Sequence, residues 1–212
     1  MRTGTDPLGP RAAGVRVWDP AVRLFHWSLA GAIAWEMLAE AGTDIHEVVG
    51  YLVLVLVTFR IGWGFVGPRH ARFADFVVRP ARVLAYLKDI LGGHPRRYLG
   101  HNPAGGAMVL ALLAAATATG LSGWAMTTDA LWGVEWIEEL HETLANGTLL
   151  LVALHVGGVM LAGFQHRENL VRSMVTGRKS PKRQGPRLRH PAGAGTIEPP
   201  AGSAPGRSHR DG

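Results

Sequence analysis

The chain has 212 residues, 47% of them hydrophobic and only 18% charged, with 28 Gly, 13 Pro, 7 Trp and no Cys; soluble domains carry about 25% charged residues, so the composition points to lipid. The formal net charge of +6, from 22 Lys and Arg against 16 Asp and Glu, would alone suit nucleic acid or an anionic membrane surface. Without cysteine, disulfides, thiolate catalysis, iron–sulfur ligation, Cys-bearing zinc sites and C-x-x-C-H haem attachment are excluded, and any cofactor must rest on His, Met, carboxylates or noncovalent contacts.

Residues 1–23 are a basic leading segment, followed by the first apolar stretch, Leu24–Ala41. Its Ala39-Glu40-Ala41 triplet imitates a signal-peptidase site, but 1–23 is too long for a signal's charged region, and His26, Trp27, Trp35 and Glu36 do not suit its apolar core. The stretch is therefore expected to stay in the mature protein. Three more apolar stretches follow, Val48–Val66, Ala104–Met126 and Leu144–Phe164. Each approaches the roughly 20 residues that cross the hydrocarbon core of a bilayer. The expectation is an all-α membrane protein, a four-transmembrane-helix bundle over residues 24–166. Its inner loop, 67–103, contains Ala81–Leu91, with Val83, Leu84, Leu87, Ile90 and Leu91 on one face, the pattern of a short helix lying on a membrane surface. Residues 167–212 form a basic tail; beyond Gly177 its Arg, Lys, Pro, Gly and Ser cannot repay the entropy of ordering and are expected to be largely disordered against anionic lipid.

All 22 basic residues fall in three segments, 1–23, 60–97 and 167–212, holding four, eight and ten of them. The complementary stretches, 24–59 and 98–166, carry nine acidic and no basic side chains. This segregation decides against nucleic acid. The positive-inside bias places both termini and the middle loop in the cytoplasm, and an even number of spans agrees. Trp18, Trp27, Trp63, Trp124, Trp132 and Trp136 fall near the predicted interfaces and read as an aromatic belt.

Of the ten histidines, those at 70, 94, 190 and 209 lie in basic or Pro/Gly-rich segments and are expected to be exposed; His26, His46, His101, His141, His155 and His166 lie at or inside span ends, where ionisable groups are costly and usually functional. His141 and His155 are 14 residues apart, about 21 Å along a helix axis and about 40° from alignment, so they share a face near opposite surfaces. His26 matches the depth of His155, and His46 that of His141. Two imidazole pairs from facing helices suit two haems b, each Nε2 supplying an axial ligand. Gly50 and Gly158, one turn after His46 and His155, leave room for a flat ring, although small residues also pack helices in lipid. Zinc fits poorly, because pairs about 21 Å apart cannot complete one four-ligand shell. Arg60, in the last third of the second span, has two candidate partners: headgroups reached by snorkelling, or a haem propionate.

Several segments carry a family resemblance: RVWDPAVRLFHW at 16–27, IHEVVGY at 45–51, FRIGWGFVG at 59–67, YLGHNPAGG at 98–106, LHETLAN and ALHVGG around His141 and His155, and HRENLV at 166–171. Over about residues 15–180 the chain resembles the bacterial cytochrome b561 and nickel–iron hydrogenase b-type cytochrome family. That resemblance implies a membrane cytochrome of the bacterial inner membrane. Its work would be to pass electrons between the quinone pool and a redox protein, either a hydrogenase subunit or a c-type cytochrome. Likeness to the membrane subunits of hydrogenase and formate dehydrogenase carries the ligand roles onto His26, His46, His141 and His155, giving two haems b, or one if, as in single-haem relatives, fewer ligands are used. Asn102, beside His101, resembles the position where related subunits hydrogen-bond a quinone carbonyl, with Gly105 and Gly106 leaving room for the ring; Asn102 followed by Pro103 equally reads as a helix cap. Two other classes fit intramembrane histidines: a transporter or proton relay, and a cofactor-free membrane anchor.

Overall fold

The computed structural model describes residues 15–93, 98 and 100–179, which fall within one compact unit. Capping residues set the helix starts. Asp19 accepts from the Val22 N–H and Pro20 takes the first helical position, opening α1 (Pro20–Leu38). Thr43 accepts from the His46 N–H to open α2 (Asp44–Val66), whose Asp44 and Glu47 favour the positive end of the helix dipole. After a short 3₁₀ turn at Arg69–Ala71 come α3 (Phe73–Phe76) and α4 (Pro80–Leu91). Asn102 caps α5 (Pro103–Met126) by accepting from the Gly105 N–H at 2.6 Å. The longest helix, α6 (Glu135–His166), is followed by α7 (Leu170–Thr176), which Asn169 caps. A two-residue antiparallel pair, β1 (Val15–Arg16) and β2 (Arg178–Lys179), is the one sheet among the described residues.

Three helices, α2, α5 and α6, are long and apolar enough to cross a membrane, against four spans expected from the sequence. The exception is α1, in which Arg23, His26, Ser28 and Glu36 dilute a run of only 19 residues. It also begins at Pro20 and ends at Leu38 rather than running from 24 to 41, because the Asp19 cap starts it early and Ala39 turns extended. A second difference is the start of α6 at Glu135 rather than Leu144. Glu135 and Glu138 suit a helix N-terminus, and 32 residues span about 48 Å, longer than the bilayer core. His141 is thereby inside the helix and not at its end.

α1 packs on α2, α2 on α5, and α5 on both α4 and α6. The core where these meet contains Phe25, Ala32, Val53, Val57, Leu113 and Ala116. Thr119 and Thr148 share a hydrogen bond at 3.0 Å between α5 and α6, and at Gly120 a side chain would strike Leu54, so α2 and α5 approach closely there. This is packing by small residues and polar bonds, as expected where lipid removes the hydrophobic drive between helices. Much of the outer surface is correspondingly apolar: Leu38 is 89% exposed and Phe164 84%. The chain is a membrane protein. Leu84, Leu87 and Leu91 of α4 are also exposed, in keeping with its expected surface-lying face.

Where α1 begins and α7 ends, the chain closes on itself. The Val17 and Trp18 N–H groups donate to the Gly177 carbonyl at 2.9 and 3.2 Å, and Arg23 donates to the Met174 and Val175 carbonyls at the end of α7. Gly177 has φ +76°, and a Cβ there would lie 2.9 Å from the Trp18 carbonyl, so glycine is required for this closure. The tail expected to be disordered beyond Gly177 thus begins as a strand; residues 180–212, with His190 and His209, and also His94, lie outside the described residues.

Candidate functional site

The turn between α1 and α2 returns the chain so that Glu36 meets His46, its Oε2 pairing with Nδ1. Across from it stands His141 of α6, ring centroids 6.3 Å apart and planes at 84°. His141 is held against α5: its Nδ1 lies 3.0 Å from Ser122 Oγ and 3.1 Å from the Thr119 carbonyl oxygen. A carbonyl only accepts, so Nδ1 bears the proton and Nε2 keeps its lone pair. Gly123 permits the arrangement, since a Cβ would lie 3.0 Å from His141 Cε1.

Further along the same helices, His26 of α1 and His155 of α6 stand with centroids 6.4 Å apart and planes at 56°. The His26 Nδ1 is buried without a protein partner. Two imidazoles that bind one metal from opposite sides, each nitrogen about 2 Å away, have ring centres about 6 Å apart. Both pairs meet that spacing. Among the described residues no three or more His, Cys, Asp or Glu side chains converge as a metal-ion site, and the donors facing each other in each set are two imidazoles. α6 makes no backbone packing with α1 or α2 comparable to its packing on α5, and side chains built at Gly50, Gly157 and Gly158 would meet nothing within 4 Å. Bis-imidazole ligation of a flat macrocycle such as haem b fits these residues.

Arg60 is only 3% exposed, with Nη1 unpartnered and its guanidinium 5.3 Å from the Phe73 ring centre. That burial removes the snorkelling expected from the sequence as one alternative. His101 sits between Trp18, at 4.8 Å, and Phe76, at 4.6 Å, its Nδ1 buried and unpartnered. Burial, and then the cations of Arg60 and Lys179, push its pKa down to about 4. Lys179 is 8% exposed and donates to the Tyr98 carbonyl at 3.4 Å. Asn102 fulfils the capping role foreseen for it, accepting from the Gly105 N–H.

The structure therefore brings His26 to His155 and His46 to His141, and puts Arg60, His101 and Asn102 on segments near the start of α1. Sequence reasoning missed Glu36, Thr119, Ser122, Gly123, Trp18 and Lys179 as neighbours of these groups. Glu36 carried a signal, being an acid inside an apolar stretch, whereas Trp18 was assigned to the lipid belt and instead packs on His101. His70, expected to be exposed, is half-buried, with Nδ1 3.0 Å from Asp75 Oδ2.

The sequence pattern of the family described as prokaryotic cytochrome b561 matches residues 17–177. The chain belongs to that family. Membership of a family of b-type cytochromes implies haem b as the cofactor and electron transport in a membrane as the work. Among curated proteins, this cytochrome is 25% identical to a probable Ni/Fe-hydrogenase B-type cytochrome subunit of Rhodobacter capsulatus, over 80% of this chain and 83% of the relative. It is 26% identical to a protein of the same description from Azotobacter vinelandii, over 61% and 66%, and 22% identical to one from Bradyrhizobium diazoefficiens, over 82% and 90%. No solved structure matches it.

With its pKa held near 4, His101 is neutral in the folded cytochrome at pH 6, whereas an unfolded imidazole titrates near 6.5. The unfolded chain takes up this proton first, so stability from His101 is full above pH 6.5 and is lost as pH falls toward 4, by about 3 kcal/mol in all. The melting temperature of the detergent-solubilised protein should drop between pH 6.5 and 4.5, and His101→Gln should flatten that drop. An equally steep loss in the variant would refute the assignment.

Proposed function

We propose that this chain is a dihaem membrane cytochrome that relays electrons across the bilayer between a quinone or quinol and a redox protein at the membrane surface. The observation that carries the proposal is the pair of imidazole couples, 6.4 and 6.3 Å between centroids, joined along α6 by the spacing from His141 to His155. In this reading His26 and His155 hold the inner haem b and His46 and His141 the outer one. α1 is the fourth span and completes a four-helix bundle over residues 24–166, between cytoplasmic segments 1–23 and 167–212. The haem, when bound, supplies reversible one-electron chemistry; the protein supplies ligands, burial and charge compensation. Arg60, a buried cation with an unpartnered N–H, suits a propionate carboxylate.

For quinone we propose the inner end, at His101 and Asn102. The unpartnered His101 Nδ1 is a neutral hydrogen-bonding group for a carbonyl, and an apolar cavity of about 380 Å³ beside the start of α5, lined by Val78, Val83, Leu84, Pro103, Ala107 and Leu110, suits an isoprenoid tail. The descriptions of the relatives favour a hydrogenase subunit as redox partner, with a c-type cytochrome as the other candidate. The acidic stretches 24–59 and 98–166 would form the outer face of a bacterial inner-membrane protein and steer a basic partner surface.

Purified protein should be red with a b-type reduced-minus-oxidised spectrum, and His155→Ala should lose one haem of two while the other stays spectrally intact; an unchanged haem-to-protein ratio would sink the ligand assignment. Reporters fused after Gly177 and at Asp129 should read cytoplasmic and periplasmic respectively, and reversal of either defeats the four-span orientation. Asn102→Asp keeps the cap but removes the amide donors. It should slow quinol-driven haem reduction severalfold with both haems bound, and unaltered quinol kinetics would move the quinone pocket elsewhere.

A further inference from the structure

The two imidazole pairs differ in what stands behind them. Both Nδ1 atoms of the outer pair face polar groups: His141 is within hydrogen-bond distance of Ser122 and the Thr119 carbonyl, and His46 meets the Glu36 carboxylate in an ion-pair contact. In the inner pair His26 Nδ1 is buried with no protein partner, and the fully buried charged side chains toward that end are the cations Arg60 and Lys179, with the carboxylates of Asp19 and Asp75 acting on Arg60 and His101. A histidine that gives Nε2 to a metal must carry its proton on Nδ1, and what accepts that proton sets the ring's orientation and its basicity. A carboxylate is the strongest acceptor available to a side chain, and Glu36 is contributed by a different helix from His46.

We infer that Glu36 is a positioning residue for the outer haem: it fixes the tautomer and rotation of His46 and, by making that imidazole a stronger donor, lowers the reduction potential of the outer site relative to the inner. The inference rests on the dihaem reading given above. It assigns a role to an acid placed in the midst of an otherwise apolar segment of α1, Ala30–Leu38, where a carboxylate is costly without a partner. The effect is local. His155 shares α6 with His141 but lies about 21 Å further along the axis, beyond the reach of one hydrogen bond.

The test is potentiometric titration of the haem absorbance in the purified, haem-loaded protein, comparing wild type with Glu36→Gln and Glu36→Asp, with the wave lost in His141→Ala identifying the outer haem. Glutamine keeps an acceptor oxygen without the negative charge, so the outer wave should move to higher potential by about tenfold in the ratio of oxidised to reduced haem, which is 59 mV for one electron. The inner wave should stay in place, and Glu36→Asp should return most of the shift. Loss of the outer haem alone in Glu36→Gln, with retention in Glu36→Asp, also supports the role, because His46 is then anchored by the carboxylate. Two unmoved waves with both haems bound, or an equal shift of both, overturns it. A haem-free wild-type protein defeats the dihaem reading itself and this inference with it, whereas normal haem with an unmoved outer wave defeats only the role of Glu36.

Discussion

A polar side chain inside a bilayer needs a partner, because no water is there to supply one. The arrangement of this cytochrome meets that requirement for His141 and pairs His46 with Glu36, while it leaves polar atoms of His26 and Arg60 buried without a protein partner, in helices rich in Leu, Val, Ala and Gly. Ser122, Thr119, Gly123 and Thr148 sit where they do because α5 must both receive His141 and bond across to α6. α6 packs chiefly on α5, and it faces α1 and α2 with the imidazoles of His155 and His141.

That arrangement distinguishes this packing from an ordinary helical core. The apolar cluster around Val57 and Ala116 holds α1, α2 and α5 together without help from α6. Helices in lipid gain little from mutual contact beyond close packing and polar bonds, so a helix can be held on one neighbour and left free on the other. Here the neighbour is α5, and the side toward α1 and α2 carries both histidines.

Much of this was legible in the sequence. The spacing of His141 and His155 gave their common face, and charge segregation ordered the segments, because helix pitch and bilayer thickness are fixed quantities. The caps at Asp19 and Asn102 could likewise be read from the Asp-Pro and Asn-Pro dipeptides. What could not be read depends on contacts distant along the chain. Glu36 meets His46 only through the geometry of the turn between them, and Trp18 meets His101 only because the chain closes where α1 begins. The start of α6 at Glu135 escaped a reading based on apolar length, since acidic residues extend a helix beyond the lipid without adding hydropathy. The shortfall of α1 as an apolar stretch has a related origin, the polar side chains Arg23, His26, Ser28 and Glu36 within 19 residues.

The closure between the start of α1 and the end of α7 also orders events in time. Arg23 bonds carbonyls at 174 and 175, and Trp18 bonds the carbonyl of 177, so these bonds of the first residues cannot form until residues 174–177 have left the ribosome. Synthesis proceeds from the first residue to the last, so this clasp is the last contact to form, after α7 has been made. Chain length itself acts as the clock for closing the domain.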